Sequence, residues 1–223
     1  MKKLLTFSLL FCLALNANAQ KEKQRNQYGN VFFTTNLEGS ILSSSLFEKN
    51  GGETSITVPR FTTFLHFGTT AHMNINKNIG LISGIGIKNI GFIEKFNNVD
   101  STVIRRNYAL GIPLAIKLGD MHKNYVMLGG GIDIPFWFKE KGFVKRGNKT
   151  KINEWFSQRS PAILPNVFVG ARLHPGFIVK ATYYPTNFLN PDFSKNGVNP
   201  YAGYNVNLMM ISVATDISYR PKY

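Results

Sequence analysis

Two histidines are the residues whose type most readily suggests chemistry, since an imidazole can act as a general base or bind a metal ion. His66 and His72 lie in a segment that alternates large apolar and polar side chains, so they share one face of a predicted strand. Their spacing along a strand corresponds to roughly 20 Å, too far for one metal ion. A lipid-modifying enzyme would also need a serine or carboxylate converging on His66, and the sequence names none. We therefore expect hydrogen-bonding histidines, a protein that is not an enzyme, and no metal or other cofactor.

A second set of candidates consists of charged residues on strand faces whose other side chains are small. Unpaired charge is expensive to bury, so opposite charges on such faces are expected to pair. If these faces point into a narrow interior, the pairs would form a network that fills it. The residues concerned are Glu38, Lys88, Arg105, Lys117, Asp133, Arg172, Lys180 and Asp216.

The third set lies between Lys141 and Arg159, where several lysines and arginines accompany a single acid, Glu154. Basic groups beside aromatic rings at a membrane interface could bind the phosphates of lipopolysaccharide or a partner protein. The alternative is an ordinary solvated loop. The binding candidates are Lys145, Arg146, Lys149, Lys151, Trp155 and Phe156.

Strands are the elements that must position these residues, because the apolar pattern has a period of two. In RRNYALGIPLAIKLGD, which starts at Arg105, the even-numbered positions up to Leu118 are large and mostly apolar, and the odd-numbered ones are small, polar or charged. The same alternation between turn clusters predicts eight strands, most of them longer than the usual strand of about five or six residues. Their approximate ranges are 30–42, 60–75, 79–95, 102–118, 124–138, 162–174, 176–188 and 205–220.

Residues 1–19 have the pattern of a signal peptide and are set apart from the fold. Two lysines precede an apolar run, and Ala17-Asn-Ala19 matches the small-x-small cleavage site, which leaves Gln20 as the first exported residue. A lipoprotein interpretation of Cys12 is weaker, because bulky Phe11 precedes it. Since Cys12 is the single cysteine, the exported part can hold no disulfide, thiolate nucleophile or cysteine-ligated metal.

The connections between the predicted strands alternate in length. Those after the second, fourth and sixth strands are tight, whereas those after the other strands tend to be longer. Short turns at one end and long loops at the other are typical of an outer-membrane barrel with periplasmic turns. After the signal segment, no apolar run approaches the roughly 18 to 20 residues that a membrane helix needs, so strands would have to make the crossing.

The two faces of each strand indicate which side meets lipid. The faces opposite the apolar ones are rich in Gly, Ala, Ser, Thr and Asn and carry few charges, which suits a cramped interior better than a water-facing surface. The apolar faces would then contact lipid. Aromatic residues near the strand ends would form interfacial girdles: Tyr28, Tyr125 and Tyr219 at the turn end, and Phe92, Phe96, residues 136–138, Tyr183, Tyr184 and Phe188 at the loop end.

The sequence is strongly basic. Its formal net charge of +14 falls to +12 without Lys2 and Lys3. For an exported protein, anionic lipid headgroups are a more natural counterpart than nucleic acid, although the charge could also lie on solvated loops. The predicted partners are outer-membrane lipid, lipopolysaccharide and proteins of an envelope complex, and not nucleic acid.

Three stretches carry a family resemblance: NYALGIPLAIKL, NYVMLGGGIDI and AILPNVFVGARLHPGFIVKATYYPTNFLN. With Tyr108, Pro113, Leu114 and the Gly129–Gly131 run as the matching positions, they resemble the small outer-membrane β-barrel family common in Bacteroidota, often labelled PorT-like or porin-family. The resemblance implies an outer-membrane location. For some relatives it also implies a part in type IX secretion or gliding machinery, and it carries over no catalytic residue.

Together these features predict an all-β fold, an eight-stranded antiparallel transmembrane β-barrel over residues 20–223 with short periplasmic turns and longer extracellular loops. An eight-stranded barrel is just wide enough for side chains to fill it, so a water channel is not expected. The predicted function is that of an accessory or anchoring subunit of an envelope complex, with type IX-like protein secretion or outer-membrane biogenesis as candidate processes. Two alternatives stay open: a surface barrel that binds lipopolysaccharide or external ligands through its loops, and a narrow pore.

Overall fold

The chain forms a closed antiparallel sheet in a computed structural model that describes residues 28–62, 65–96, 101–144, 149–174 and 176–217. The signal peptide expected over residues 1–19 lies outside the described residues. Within them, no helix is long and apolar enough to cross a membrane. The strands are β1 (Val31–Lys49), β2 (Ser55–Ile56), β3 (Leu65–Asn74), β4 (Ile79–Phe96), β5 (Ser101–Gly119), β6 (Tyr125–Val144), β7 (Thr150–Trp155), β8 (Leu164–Leu173), β9 (Phe177–Tyr183) and β10 (Tyr204–Ile217).

Eight strands form a ring in which each pairs antiparallel with both of its neighbours. The order is β1, β3, β4, β5, β6, β8, β9 and β10, and β10 pairs back with β1 from Thr35↔Ile217 to Lys49↔Tyr204. The two remaining strands extend the connections, since β2 pairs with β1 and β7 pairs with β6. The predicted eight-stranded antiparallel barrel is therefore confirmed.

Three connections are much longer than the others, and these three lie at one end of the barrel, as the sequence predicts. Tight turns join β3 to β4, β5 to β6 and β8 to β9 at what we call the turn end, and the connections from β1 to β3, β6 to β8 and β9 to β10 lie at the opposite, loop end. Side chains stabilise two of the turns: Asn76 Oδ1 accepts the backbone N–H groups of Asn78 and Ile79, and Asp120 Oδ1 accepts that of His122. These local bonds let the backbone reverse within a few residues.

The burial pattern of β5 shows which face points inward. Leu114 and Leu118 are 64% and 51% exposed, whereas Ala115 and Lys117 are each 2% exposed. The apolar faces therefore point outward and the small or polar faces point into the lumen, as the alternation predicts. Exposed apolar residues of the other strands include Val31, Phe33, Phe67, Ile85, Leu128, Val167, Val169, Val179 and Ile211.

A bulge reverses the predicted facing of the loop-end part of β6. Tyr108 of β5 pairs with Trp137, but the next residue, Ala109, pairs with Pro135, so Phe136 is an extra residue in β6. One inserted residue moves every later side chain to the opposite face. Phe138, which the alternation placed on the outer face, is accordingly only 1% exposed and lies in the interior.

The strand boundaries differ from the predicted ones mainly at the loop end. β1 continues to Lys49 because β10 pairs with it throughout, and β6 continues to Val144 because β7 folds back along it. Parts of two predicted loops are therefore regular hairpins. The predicted strand 176–188 instead ends at Tyr183, since Pro185 has no backbone N–H with which to continue the ladder.

Residues 55–60 complete the wall of the barrel where β3 is short. Arg60 forms a bridge with Ser43 of β1, and Val58 forms a bridge with Ile93 of β4. The backbone N–H of Arg60 donates to the Ser43 carbonyl at 2.7 Å, and that of Ser43 donates to the Arg60 carbonyl at 2.9 Å. The segment thereby links β1 to β4 at the loop end and fixes the position of Arg60.

Candidate functional site

Glu38 on β1 pairs with Lys180 on β9 across the intervening strand β10. Lys180 Nζ is 2.6 Å from Glu38 Oε2, and His66 Nδ1 is 3.8 Å from Glu38 Oε1. The β10 residues in register with them, Ala214 and Ser212, are small enough for the lysine side chain to reach over the strand. Glu38 is 5% exposed, so this contact is shielded from water.

A second group of buried polar contacts centres on Asp133 of β6, which is 0% exposed. Lys88 Nζ lies 2.8 Å from Asp133 Oδ1, and the Tyr184 hydroxyl donates to Asp133 Oδ2 at 2.6 Å. Gly111 of β5 lies directly beside the pair. A Cβ atom there would come within 2.6 Å of Lys88 Cε and 2.7 Å of Asp133 Oδ1, so a larger residue would require the ends of these two side chains to shift.

Arg105 of β5 lies between two carboxylates from the flanking strands, Glu94 of β4 and Glu140 of β6. Its Nε donates to Glu140 Oε2 at 2.7 Å, and its Nη1 donates to Glu94 Oε2. The Tyr201 hydroxyl donates to Glu140 at 3.2 Å and the Tyr204 hydroxyl donates to Glu94 at 3.3 Å. These contacts join three strands and the β9–β10 connection at the loop end of the lumen.

The remaining predicted lumen charges lie toward the turn end. Lys117 is 2% exposed, and its Nζ donates to Asn74 Oδ1 at 2.6 Å. Arg172 donates instead to the backbone carbonyl of Lys123 at 3.1 Å, so it contacts the β5–β6 turn. Asp216 belongs to β10, but its side chain lies outside what the structure describes.

The two histidines are both buried and stay apart. His66 lies beside Glu38, whereas His72 Nε2 is 3.0 Å from Thr34 Oγ1 and its ring stacks on Phe32 with ring centres 5.1 Å apart. In the part of the chain that the structure describes, no group of three or more His, Cys, Asp or Glu side chains could hold a metal ion. The geometry thus gives each histidine a hydrogen-bonding or ionic contact.

The β9–β10 connection folds into the mouth of the barrel, and we call its residues 184–203 the cap. Its side chains Tyr184, Phe188 and Leu189 are 0% exposed. They pack with residues of the wall into a cluster that fills the loop end of the lumen. The buried members of this cluster are Ile90, Phe92, Ala109, Phe138, Leu164, Tyr184, Phe188, Leu189, Tyr201, Tyr204, Val206, Leu208 and Met210.

A second apolar cluster fills the turn end of the lumen, and the two clusters correct the predicted aromatic girdles. Five aromatic residues predicted at the interfaces are interior instead: Phe92, Phe138, Tyr125, Tyr184 and Phe188. Phe92 and Tyr125 lie at positions of the alternation that point into the lumen, and the bulge turns Phe138 inward. Tyr184 and Phe188 belong to the cap, which places them in the lumen. The turn-end cluster consists of Ile82, Ala115, Met121, Tyr125, Met127, Phe168, Ile178 and Ala214.

The basic and aromatic loop of the sequence is in large part a hairpin formed by β6 and β7. Lys149 and Lys151 are exposed, whereas Lys145 and Arg146 lie outside the described residues. Trp155 is 58% exposed and stacks on Trp137 with ring centres 4.4 Å apart. Phe156 is 79% exposed, and its backbone φ of 48° lies in the left-handed region.

The cap is tied to this hairpin through Glu154. Arg159 Nε is 2.9 Å from Glu154 Oε2, and Lys195 Nζ of the cap is 3.1 Å from Glu154 Oε1. Hydrogen bonding from Arg159 lowers the pKa of Glu154 from 4.5 to about 2. Arg159 Nη1 also donates to the Tyr201 hydroxyl at 3.0 Å, so Arg159 is engaged within the fold and is not a free loop cation.

Sequence reasoning did not select Glu94 and Glu140, the acids that pair with Arg105. Glu94 lies an even number of residues from Lys88 on β4, so the two side chains share one face and the alternation alone could have placed Glu94 in the lumen. Glu140 lies beyond the predicted end of its strand and after the bulge, so no local signal identifies it. Arg60 was likewise assigned to a predicted strand rather than to the segment that links β1 to β4.

Comparisons with known proteins find likeness in structure only. No protein-family model matches the sequence, and no curated protein matches it. Among solved structures of small outer-membrane β-barrels, the attachment invasion locus protein of Yersinia pestis is 12% identical, with 86% of this chain and 100% of that chain covered and a TM-score of 0.39. Neisserial surface protein A is 10% identical, with 85% and 99% covered and a TM-score of 0.43. Another structure of the Yersinia protein, in complex with the heparin analogue sucrose octasulfate, is 13% identical, with 86% and 100% covered and a TM-score of 0.34.

Proposed function

We propose that the protein is an integral outer-membrane barrel that serves as a non-conducting, accessory or anchoring subunit of an envelope complex. The observation that carries the proposal is a lumen filled with packed and ion-paired side chains inside an apolar outer wall. Such a barrel has a surface for lipid and none for solute passage. Its function then lies in what it holds in the membrane.

The outer wall supports a membrane location. Leu114 of β5 and Leu128 of β6 are each 64% exposed, and the exposed apolar set continues onto every other strand of the ring. A soluble protein rarely exposes so much contiguous apolar surface. Strands of a closed barrel satisfy their backbone groups with one another, as a membrane requires. Short turns at one end assign that end to the periplasm.

The lumen supports the absence of a channel. Ion pairs around Glu38, Asp133 and Arg105 occupy the lumen together with the two apolar clusters. An eight-stranded barrel leaves just enough width for such side chains. We expect no single-channel conductance from the purified barrel in planar bilayers, and regular conductance steps would overturn the non-conducting role in favour of a narrow pore.

The family resemblance supports an envelope complex for protein secretion or outer-membrane biogenesis as the host of this subunit. The test is a mild-detergent pull-down of the tagged full-length protein from outer membranes, followed by mass spectrometry. Stoichiometric recovery of one set of envelope proteins is the expected result. Recovery of the barrel alone, under conditions that preserve a known envelope complex from the same membranes, would contradict the anchoring role.

A second candidate function is binding of lipopolysaccharide or external ligands through the β6–β7 hairpin. It is favoured by the exposed aromatic residues Trp155 and Phe156 and the exposed lysines Lys149 and Lys151, which all belong to this hairpin region. The test is charge reversal, Lys149→Glu with Lys151→Glu, compared with Lys77→Glu with Lys123→Glu at the turn end. If neither the co-purified lipid nor complex formation changes in the hairpin variant alone, this function is wrong.

Residues 1–19 act, in this proposal, as a signal peptide that directs export. Intact-mass measurement of the protein from outer membranes should show a chain that starts at Gln20. A chain that retains Ala19 and the preceding residues would contradict the proposed cleavage.

A further inference from the structure

Three cations gather on the outer wall at the loop end. Arg106 of β5 and Lys139 of β6 are register partners on the outward face. Arg60 donates through Nη2 to Asn89 Oδ1 at 2.9 Å, and Asn89 is the register partner of Tyr108, which lies two residues from Arg106 on the same face. The side chains of Arg60, Arg106 and Lys139 therefore share one region of the wall, which we call the cation patch.

The patch lies where the outer wall passes from apolar to polar. Along β5 the outward residues run from Leu110 through Tyr108 to Arg106, and β6 follows a similar order up to Lys139. The Lys139 ammonium lies 3.4 Å from the centre of the Trp137 ring. An apolar band, then aromatic rings, then cations is the order in which a membrane-embedded surface passes from acyl chains to headgroups.

The patch contains cationic donors that no anion neutralises within the described residues. No acidic side chain there forms an ion pair with Arg60, Arg106 or Lys139. Arg60 is 5% exposed, yet its buried Nη1 makes no hydrogen bond in the described part of the chain, and neither does the buried Nε of Arg106. Arg106 and Lys139 are both partly exposed, so an external anion can reach their side chains.

We infer that the cation patch binds the phosphate group of an outer-leaflet lipid whose acyl chains lie along the apolar wall. A phosphate accepts several charge-assisted hydrogen bonds, and the guanidinium group of Arg106 and the ammonium group of Lys139 can supply them, while the buried charge of Arg60 adds to the positive potential. A carboxylate of a partner protein would satisfy the charge but would leave the adjoining apolar wall unused. The inference rests on the proposed membrane location, and none of its three cations belongs to the binding candidates predicted from the sequence.

The test measures binding of phosphorylated and dephosphorylated lipid A to the full-length barrel in detergent micelles. Tryptophan fluorescence is a suitable signal because Trp137 and Trp155 lie beside the patch. We expect the barrel to bind the phosphorylated form about tenfold or more tightly than the dephosphorylated form, and Arg60→Gln with Arg106→Gln to remove this preference. The control is Lys77→Gln with Lys123→Gln, which removes the same charge from the turn end and should keep the preference.

Three outcomes would overturn the inference: equal binding of both lipid forms by the unchanged barrel, an unaltered preference in the arginine variant, or equally effective competition by inorganic phosphate alone. The last outcome would assign the patch to free phosphate, and a preference for acidic peptides over the phosphorylated lipid would assign it to a protein. Arg106→Gln alone provides a milder variant if the double variant does not fold. Fractionation of cells is scored separately, since a barrel absent from the outer membrane contradicts the proposed function, whereas the micelle experiment judges the patch.

Discussion

Arg105 and Arg106 are adjacent residues of β5 with opposite surroundings. Arg105 points into the lumen and donates to the carboxylates of Glu94 and Glu140. Arg106 points outward, faces Lys139 across the strand pair, and has no ion pair among the described residues. One step along a strand thus separates a cation that the fold neutralises from a cation that it leaves for an external partner.

Tyr183 and Tyr184 show the same division with a neutral side chain. Tyr183 ends β9 and is 36% exposed, whereas Tyr184 starts the cap, is 0% exposed and donates to Asp133. In the interior, the charged groups of Glu38, Asp133 and Arg105 meet partners of the chain itself. In the proposed membrane location the exterior has no such requirement, because lipid and its headgroups would complete it.

Removing both partners of Arg105 should have the largest effect. Glu94→Gln with Glu140→Gln leaves the guanidinium in the lumen without a carboxylate, and breaking a buried ion pair costs about 3–5 kcal/mol. We expect the free energy of unfolding to fall by that amount in urea titrations of the barrel in detergent micelles. Glu53→Gln removes an exposed carboxylate and should change it by less than about 0.5 kcal/mol. A similarly small change in both proteins would show that Arg105 does not depend on its acids.

Removing the hydroxyl group should lower the free energy of unfolding more at Tyr184 than at Tyr183. The loss should be smaller than that caused by removing the partners of Arg105. Tyr184→Phe leaves Asp133 with one hydrogen bond fewer in a buried position, which costs about 1–3 kcal/mol. Tyr183→Phe is the matched change on the outward face, and we expect it to alter the free energy of unfolding by less than about 0.5 kcal/mol. Equal losses in the two variants, measured by the same urea titration, would contradict an interior role for the Tyr184 hydroxyl.

The barrel itself could be predicted from the sequence because its main signal is local. The period of two from Ile104 to Leu118 fixes which side chains share a face, and the sorting of tight turns to one end fixes the direction of the strands. A closed ring then follows, because only closure leaves no unpaired edge in a membrane. The inward positions of Glu38, Asp133 and Lys180 follow from the same alternation of side chains along their strands.

The loop end could not be predicted to the same extent because its structure depends on contacts distant in sequence. The extra residue Phe136 interrupts the alternation, so Phe138 and Glu140 point to the opposite face from the one that the alternation predicts. Nothing in the local sequence pattern marks this bulge. The cap brings Phe188 back into the lumen only because the barrel mouth offers it an apolar surface. Arg60 reaches its position through a bridge to Ser43, which a strand assigned from residue 60 does not allow.

Relieving the repulsion in the cation patch should produce a smaller change of the opposite sign. Arg106→Gln removes a like charge opposite Lys139, and we expect it to raise the free energy of unfolding by about 0.2–1 kcal/mol in micelles without phosphorylated lipid. Arg105→Gln, one residue away, should lower it, since it leaves Glu94 and Glu140 without their ion-pair partner. A loss of stability in Arg106→Gln without added lipid would show that the outward arginine already has a stabilising partner.

The contact between hairpin and cap should give an effect of similarly small size, and one that depends on pH. The pKa of Glu154 is lowered to about 2, chiefly by hydrogen bonding from Arg159, so its contribution is fully present above about pH 4.5 and is lost as the pH falls toward 2. Because the pair is partly exposed, we expect a loss of about 0.2–1 kcal/mol, seen as faster amide hydrogen exchange in residues 184–203 between pH 4.5 and pH 3 after correction for the intrinsic rate.

Glu154→Gln should remove this pH dependence, and Asp192→Gln, which changes an acid of the cap that lies outside this contact, should retain it. A pH dependence that survives in Glu154→Gln would assign the coupling between hairpin and cap to another acid, and Glu140 beneath Tyr201 would be the next carboxylate to substitute.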